Sequence, residues 1–272
     1  MADILKRRNG KGMVLAIDMG NTNIVIGCID DEKIYFEERM STDRSKTELE
    51  YAVLLKTVLE LYEIDSSDVQ GAIISSVVPQ ITNIIKEAVE KVTGIIPLVV
   101  GPGIKTGLNL LMEQPRQVGS DLVVDAVAAI KEYGAPVIIV DIGTATTISV
   151  VDDNKNYIGG VILPGTRVSL DSLVSRTSQL PRISLEAPKN VIGKNTVECM
   201  QSGIVYGNAS CIDGMIERMK EETGFIDGSD KEAKVIATGG LAKVIIPACK
   251  SRIILDNSLL LKGLKIIYDK NV

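Results

Sequence analysis

Short unbroken apolar runs alternate with amphipathic stretches along most of the chain, the pattern of buried strands covered by helices. Val14 to Ile17 is such a run, closed by Asp18. Its lack of polar alternation predicts a strand buried on both faces. A turn at Gly20-Asn21-Thr22 leads into a second apolar segment from Ile24. Thr47-Glu-Leu-Glu50 has capping-box spacing, and Ala52, Leu55, Leu59 and Tyr62 behind it share one helical face. Val69 to Val78 predicts a buried strand ended by Pro79, then a helix through Lys91 and a strand over Ile96 to Val100. Ser120 is the predicted N-cap of a helix that buries Val123, Ala126, Val127 and Ile130. The second half predicts a strand over Tyr157 to Leu163, a long helix near Thr196 to Glu222 and a strand over Val235 to Thr238. There Gly239-Gly240 turns the chain into another helix. Strands linked by crossover helices make an α/β protein.

The pattern repeats. Val14-Leu-Ala-Ile-Asp18-Met-Gly20-Asn-Thr-Asn23 reads like Val137-Ile-Ile-Val-Asp141-Ile-Gly143-Thr-Ala-Thr146. Each copy is a buried strand, an Asp, a Gly turn and a second strand, and each then reaches an acidic turn (Asp30-Asp31, Asp152-Asp153). So long an offset points to a duplicated domain; solenoid repeats have periods of roughly 20–50 residues. The expected organisation is an extension over residues 1–12, a first domain over 13–133 and a second over 134–272. Their boundary is placed near Tyr133 to Pro136.

Composition narrows the chemistry. Only 3% of residues are aromatic and Trp is absent, so Val, Ile, Leu and Ala must fill the interior. A net charge of -5 with no basic stripe argues against nucleic acid as a partner. The absence of His leaves proton transfer to a carboxylate. The four cysteines show no CxxC spacing, which disfavours a disulfide or zinc framework. No apolar run is long enough for a membrane span, and the basic start lacks the apolar stretch of a signal peptide. The expected compartment is the cytoplasm, with no membrane partner.

Neither a GxxxxGK[ST] loop nor a GxGxxG between strand and helix occurs. Asp18-Met19-Gly20-Asn21-Thr22-Asn23, with Ile24 and Val25 beginning the next strand, offers a different phosphate loop. Glycine admits close backbone approach to an anion, and turn N–H groups with Asn and Thr side chains can donate to phosphate oxygens. A strand-end carboxylate there can hold Mg²⁺, which bridges the phosphates. The alternative is a hairpin turn using Asn and Gly for geometry. Asp141-Ile-Gly143-Thr144 and Thr238-Gly239-Gly240-Leu-Ala242 extend the constellation. Asp121 falls in the first helical turn, where the helix dipole favours a carboxylate, and Asp125 shares its face one turn on. A solvated, dipole-stabilising acid is the competing reading.

These motifs resemble the phosphate-1, phosphate-2 and adenosine motifs of the actin, hexokinase and Hsp70 superfamily, in which two RNase H-like domains clamp ATP. Nearly the whole chain from Met13 resembles type III pantothenate kinase. The blocks are IDMGNTN (Ile17–Asn23), STDR (Ser41–Arg44), ISSVVP (Ile74–Pro79), VVGPGIKTGLN (Val99–Asn109) and VDIGTATT (Val140–Thr147). They continue as LPRISL (Leu180–Leu185), VIGKNTVECMQSG (Val191–Gly203) and VIATGGLA (Val235–Ala242). The resemblance implies a homodimeric kinase that phosphorylates pantothenate, opening coenzyme A synthesis, with ATP, Mg²⁺ and a monovalent cation (K⁺ or NH₄⁺). It implies ATP contacts at Asp18, Gly20, Asn21, Thr22 and Thr144, the cation at Asp141, and pantothenate at Thr196. The family's Gly-Ala-Asp-Arg motif falls on Gly119-Ser120-Asp121-Leu122: Asp121, the implied general base, is kept, and the Arg is replaced by Leu122. Met112 stands where a substrate-contacting Tyr is expected, and Asp125 where Asn is usual. Other residues, including those of a dimer partner, could contact the acceptor instead, and Arg167 is a candidate. The departures sit on the acceptor side, which leaves another small hydroxyl acceptor, or a non-catalytic ATP-binding role, as alternatives.

Overall fold

The computed structural model describes residues 12–272, so the extension expected over residues 1–12 lies outside the described residues except for Gly12. The described chain divides into two compact units. Unit 1 takes the chain up to Gly107 together with Arg116–Ala128 and Leu260–Val272; unit 2 takes Leu108–Pro115 and Ala129–Leu259.

Unit 1 is built on β1 (Met13–Met19), β2 (Asn23–Ile29), β3 (Ile34–Ser41), β4 (Val69–Ser76) and β5 (Leu98–Val99), in the order β3-β2-β1-β4-β5. Every residue of the central strand β1 is buried, as its unbroken apolar run requires. β1 pairs antiparallel with β2 and parallel with β4. Helix α1 (Glu48–Leu61) starts with the predicted capping box: Thr47 N–H donates to Glu50 Oε2 at 2.8 Å, and Glu50 N–H donates to Thr47 Oγ1 at 3.4 Å. Helix α2 (Pro79–Thr93) carries Pro79 in its first turn, where no intrahelical N–H bond is lost. Leu15, Ile17, Ile26, Leu55, Ile74, Ile81 and Ile85 form the core with β1 at its centre, each side chain contributing about 1.5–3 kcal/mol on burial.

Helix α3 (Ser120–Tyr133) contributes its residues up to Ala128 to unit 1. Sequence placed Ser120 outside this helix as its N-cap. It is instead the first helical residue, and Gly119 O accepts from Val123 N–H at 3.3 Å. The reason is competition: the Ser120 hydroxyl is engaged by β4.

Unit 2 repeats the arrangement with β7 (Val137–Ile142), β8 (Ala145–Val151), β9 (Asn156–Pro164), β10 (Lys234–Thr238) and β11 (Ile253–Leu255). Its order reads β9-β8-β7-β10-β11 from one edge, and β6 (Asn109–Leu110) adds to β9. Strand by strand this is the order of unit 1, with antiparallel hairpin and parallel return in the same places. The duplicated α/β architecture expected from the hairpin echo is therefore present. α4 (Thr166–Arg176) follows β9. α5 (Thr196–Thr223) packs Val205, Ala209, Ile212 and Ile216 against Ile138, Val140, Ile148 and Val150. A short helix, α6 (Ala242–Ile245), follows Gly239-Gly240-Leu241.

The last helix, α7 (Leu259–Asp269), belongs to unit 1 from Leu260 onward, whereas the sequence division kept it with the second half. Close contacts explain this. A Cβ on Gly27 would lie 2.5 Å from Leu261, and one on Gly263 would lie 2.2 Å from Val124 O. Lys265 Nζ donates to Asp31 at 2.5 Å, and Asn271 and Lys270 bind the backbone of Lys105 and Thr106.

Candidate active site

In unit 1 the β1–β2 turn carries the first predicted phosphate loop. Gly20 N–H donates to Asn23 O at 3.0 Å, closing the turn, and a Cβ on Gly20 would already stand 3.0 Å from that same oxygen. Asn21, Thr22 and Asn23 are exposed at this turn. Met19 and Ile24 are fully buried, and Val25 pairs with Asp18 across the hairpin, so these three support the loop from within. The STDR segment braces the turn from outside. Thr42 Oγ1 donates to Gly20 O at 2.7 Å, Thr42 N–H to Thr22 O at 3.0 Å, and the Arg44 guanidinium to Asn21 Oδ1 at 3.2 Å.

Asp18 is buried near the end of β1, with Ser75 of β4 as its parallel-strand neighbour. The Ser75 hydroxyl lies 2.9 Å from Ser120 Oγ. Ser120 Oγ also accepts from Ser76 N–H and reaches Ser76 O, each at 3.1 Å. This serine cluster pins the start of α3 to the strand end that neighbours Asp18. It thereby brings Asp18 and Asp121 to one end of the unit 1 sheet.

Asp121 is held closely. Its Oδ1 accepts from Leu122 N–H at 2.9 Å. A Cβ on Gly119 would lie 2.3 Å from the same oxygen, so the carboxylate folds back over a residue that has no side chain. Burial pushes the Asp121 carboxyl above its ordinary pKa of 3.8, partly offset by the backbone N–H groups of Leu122 and Asp121 itself. A carboxylate raised in this way is a better proton acceptor than a solvated one. Asp125, one turn on, is buried, so the reading of a solvated pair does not hold for it.

In unit 2 the segments at Gly165 and Gly239 converge on the second hairpin. Gly143 N–H donates to Ala145 O at 3.0 Å, closing the turn that carries Thr144. Gly239 has φ +100°, and a Cβ there would lie 2.5 Å from Asp141 Oδ1 and 2.6 Å from Ile142 N. Only glycine fits this close approach in this backbone conformation. A Cβ on Gly165 would lie 2.2 Å from Thr144 O. Gly240 is exposed beside Gly239. Thr147, cross-strand neighbour of Asp141, has a buried Oγ1 with no hydrogen-bond partner among the described residues.

The remaining predicted residues lie elsewhere. Thr196 is exposed in the first turn of α5, whose N-cap Asn195 accepts from Glu198 N–H at 3.0 Å. Met112 belongs to unit 2, its sulfur 3.7 Å from where a Gly159 Cβ would stand; Leu122 belongs to unit 1. Sequence reasoning missed the structural roles of Ser75, Ser76, Thr42, Arg44 and Gly165. The STDR and ISSVVP blocks carried the signal for the first four.

Among the described residues no group of three Asp, Glu, Cys or His could hold a metal alone, and no helix is long and apolar enough to cross a membrane. The sequence model of the type III pantothenate kinases matches residues 14–218. The chain belongs to the type III pantothenate kinase family. A kinase family fixes the reaction class as phosphoryl transfer. Solved structures share the fold. A Campylobacter jejuni protein assigned to the Baf family of transcriptional activators has a TM-score of 0.54 at 19% identity, covering 94% of this chain and 98% of its own. Component A of (R)-2-hydroxyglutaryl-CoA dehydratase from Acidaminococcus fermentans gives 0.54 at 15% identity, covering 95% and 97%. A Sinorhizobium meliloti protein assigned as a 2-dehydro-3-deoxygalactonokinase gives 0.54 at 11% identity, covering 94% and 96%. At such identities these likenesses speak for the fold alone.

Proposed function

We propose that this chain transfers the γ-phosphoryl group of ATP to the primary hydroxyl of pantothenate, the first step of coenzyme A synthesis. The observation that carries the reading is Asp121, a buried carboxylate folded over Gly119 and pinned by the Ser120–Ser75 contact to the strand end that neighbours Asp18. Asp121 orients the acceptor hydroxyl and takes its proton as the oxygen attacks phosphorus in line. The turn at Gly20 to Asn23 and the turn at Gly143 to Thr144 donate to the phosphates. Asp18 would hold Mg²⁺ with the nucleotide, and Asp141 with the buried Thr147 hydroxyl would hold K⁺ or NH₄⁺. When bound, these ions neutralise charge on the phosphates. A single strand-end carboxylate suits Mg²⁺, which keeps waters and takes its remaining ligands from phosphate. The homodimer implied by the resemblance belongs to the same reading.

Acceptor identity is tested by a coupled assay of ATP turnover with pantothenate and other small hydroxyl compounds, on wild type and on Leu122→Arg with Met112→Tyr. Ground-state contacts lower KM without raising kcat. Pantothenate turnover by wild type, with a lower KM and similar kcat in the double variant, supports the proposal. Turnover gained only in the double variant means that the natural acceptor is a different hydroxyl compound.

A further inference from the structure

Residues 42–47 join β3 to α1 as a short arm that is ordered from within. Tyr51, fully buried on α1, donates from its hydroxyl to Asp43 O at 2.7 Å and accepts from Asp43 N–H at 3.0 Å. The Asp43 carboxylate is taken by Ser45, through its N–H at 3.0 Å and its hydroxyl at 2.6 Å, and by Lys46 Nζ at 2.9 Å. These donors, Ser45 foremost, hold the Asp43 carboxyl below its ordinary range. Thr42 ties the arm to the β1–β2 turn through its hydroxyl and its N–H. Arg44 is exposed on this arm. Among the described residues its guanidinium bonds only Asn21 Oδ1, at 3.2 Å, and has no carboxylate partner, since Asp43 beside it is engaged by Ser45 and Lys46.

Donor chemistry gives this contact a direction. A guanidinium has five N–H donors and no acceptor, so one bond to Asn21 leaves most of its donors unused. For the same reason the Asn21 amide must turn its oxygen to Arg44 and its nitrogen the other way. The turn is already secured by the two bonds from Thr42, so a planar charged fork beside it exceeds what bracing requires.

We propose that Arg44 is a phosphate-contacting residue, its guanidinium binding oxygens of the nucleotide's phosphate chain while Asn21 holds it at the turn. The inference rests on the reading of Gly20 to Asn23 as a phosphate loop, and it adds to that loop a permanent positive charge. Backbone N–H groups and the Asn21 amide carry none. Forked guanidinium bonds match the geometry of phosphate oxygens. Tyr51 and Asp43 order the arm before a ligand arrives, which removes an ordering cost from binding.

Calorimetry on the full chain with Mg-ATP and Mg-ADP, and ligand-observed NMR with adenosine, separate this role from a structural one. Arg44→Ala should weaken ATP and ADP by roughly 10–100-fold, the scale of a charge-assisted bond, and leave adenosine unchanged. Arg44→Lys keeps the charge without the fork and should fall between wild type and Arg44→Ala. Arg44 is exposed, so both variants should keep the wild-type melting temperature. A residue that only braced the turn would give the same loss for ATP and adenosine, with no recovery in Arg44→Lys, and that result overturns the proposal. Unchanged ATP affinity in Arg44→Ala, with wild type binding ATP normally, overturns the role of Arg44 and leaves the nucleotide reading standing. Failure of the wild-type protein to bind ATP or ADP overturns the nucleotide reading, and the role of Arg44 falls with it.

Discussion

Replacing Gly119 by Ala should disable catalysis while leaving the fold and the nucleotide site intact. The new Cβ would stand 2.3 Å from Asp121 Oδ1, 3.4 Å from Asp121 Cγ and 3.8 Å from Val77. Only the first distance is impossible, so the carboxylate oxygen must move while the surrounding backbone can stay. Relief to ordinary contact takes about 1 Å, a displacement at which a misplaced reacting group costs about 10²-fold in rate. The 2.9 Å bond from Leu122 N–H to that oxygen would stretch or break with it. Gly119 is not in the left-handed region, so alanine is tolerated by the backbone and, by restricting the unfolded chain, stabilises by about 0.4–1 kcal/mol. Steady-state turnover should therefore show kcat lowered about 100-fold, with nucleotide affinity by calorimetry and the melting temperature nearly unchanged. A folded Gly119→Ala protein turning over at the wild-type rate would show that the position of Asp121 Oδ1 does not matter to the reaction.

Removing the base directly, Asp121→Asn, should lower kcat by roughly 10²–10⁴-fold without changing nucleotide affinity; normal turnover would refute the mechanism. The Asp121 pKa is raised by burial, so activity should fall on the acid side through a pKa above 3.8. By linkage, a raised folded-state carboxyl contributes stability below its unfolded pKa and loses that contribution as pH rises through the folded value. Asp121→Asn should thus melt higher than wild type at neutral pH, and a lower melting temperature would contradict the burial argument. Asp18→Ala should weaken Mg-dependent ATP binding in calorimetry, and equal affinity would remove the role given to Asp18. Gly239→Ala, at φ +100° and 2.5 Å from Asp141 Oδ1, should lower stability by more than the roughly 1–2 kcal/mol of a left-handed alanine and weaken nucleotide binding; an unaltered melting curve would argue against it.

The elements legible in the sequence are those whose signal is local. The capping box at Thr47–Glu50 is a four-residue pattern, and it formed. The two hairpins are each written in about ten residues, and both appear with matching sheet neighbours. Strand β3 passed unnoticed because it is an edge strand: Glu37, Glu38 and Arg39 break its apolar pattern, and only Phe36 is fully buried within it. Helix α7 has a clear amphipathic sequence, but its partner is decided by Gly27 and Gly263, positions whose meaning depends on what packs against them. Ser120 failed as an N-cap for a similar reason. Its local context favours capping, but Ser75 and Ser76, from a distant strand, take its hydroxyl first. Asp121 was named from its first-turn position as well as on resemblance, but its fold over Gly119 depends on a contact that the sequence does not spell out.

The duplication also shows where the two halves diverged. Both units keep the same strand order, and both close the hairpin turn with a backbone bond of 3.0 Å. What lies against each strand-end carboxylate differs. In unit 1 the neighbour of Asp18 is Ser75, whose hydroxyl meets Ser120 and so delivers Asp121. In unit 2 the strand parallel to β7 places Thr238 beside Asp141 and then turns at Gly239, which packs directly on the carboxylate. A serine at the end of one parallel strand recruits a second acid, while a glycine after the other brings the backbone onto the first. Matching scaffolds thus give unequal surroundings: one hairpin has a second carboxylate brought to its strand end, the other has backbone packed onto its own carboxylate. The inequality rests on small residues at two equivalent strand ends, where a hydroxyl or a missing side chain changes the chemistry without disturbing the sheet.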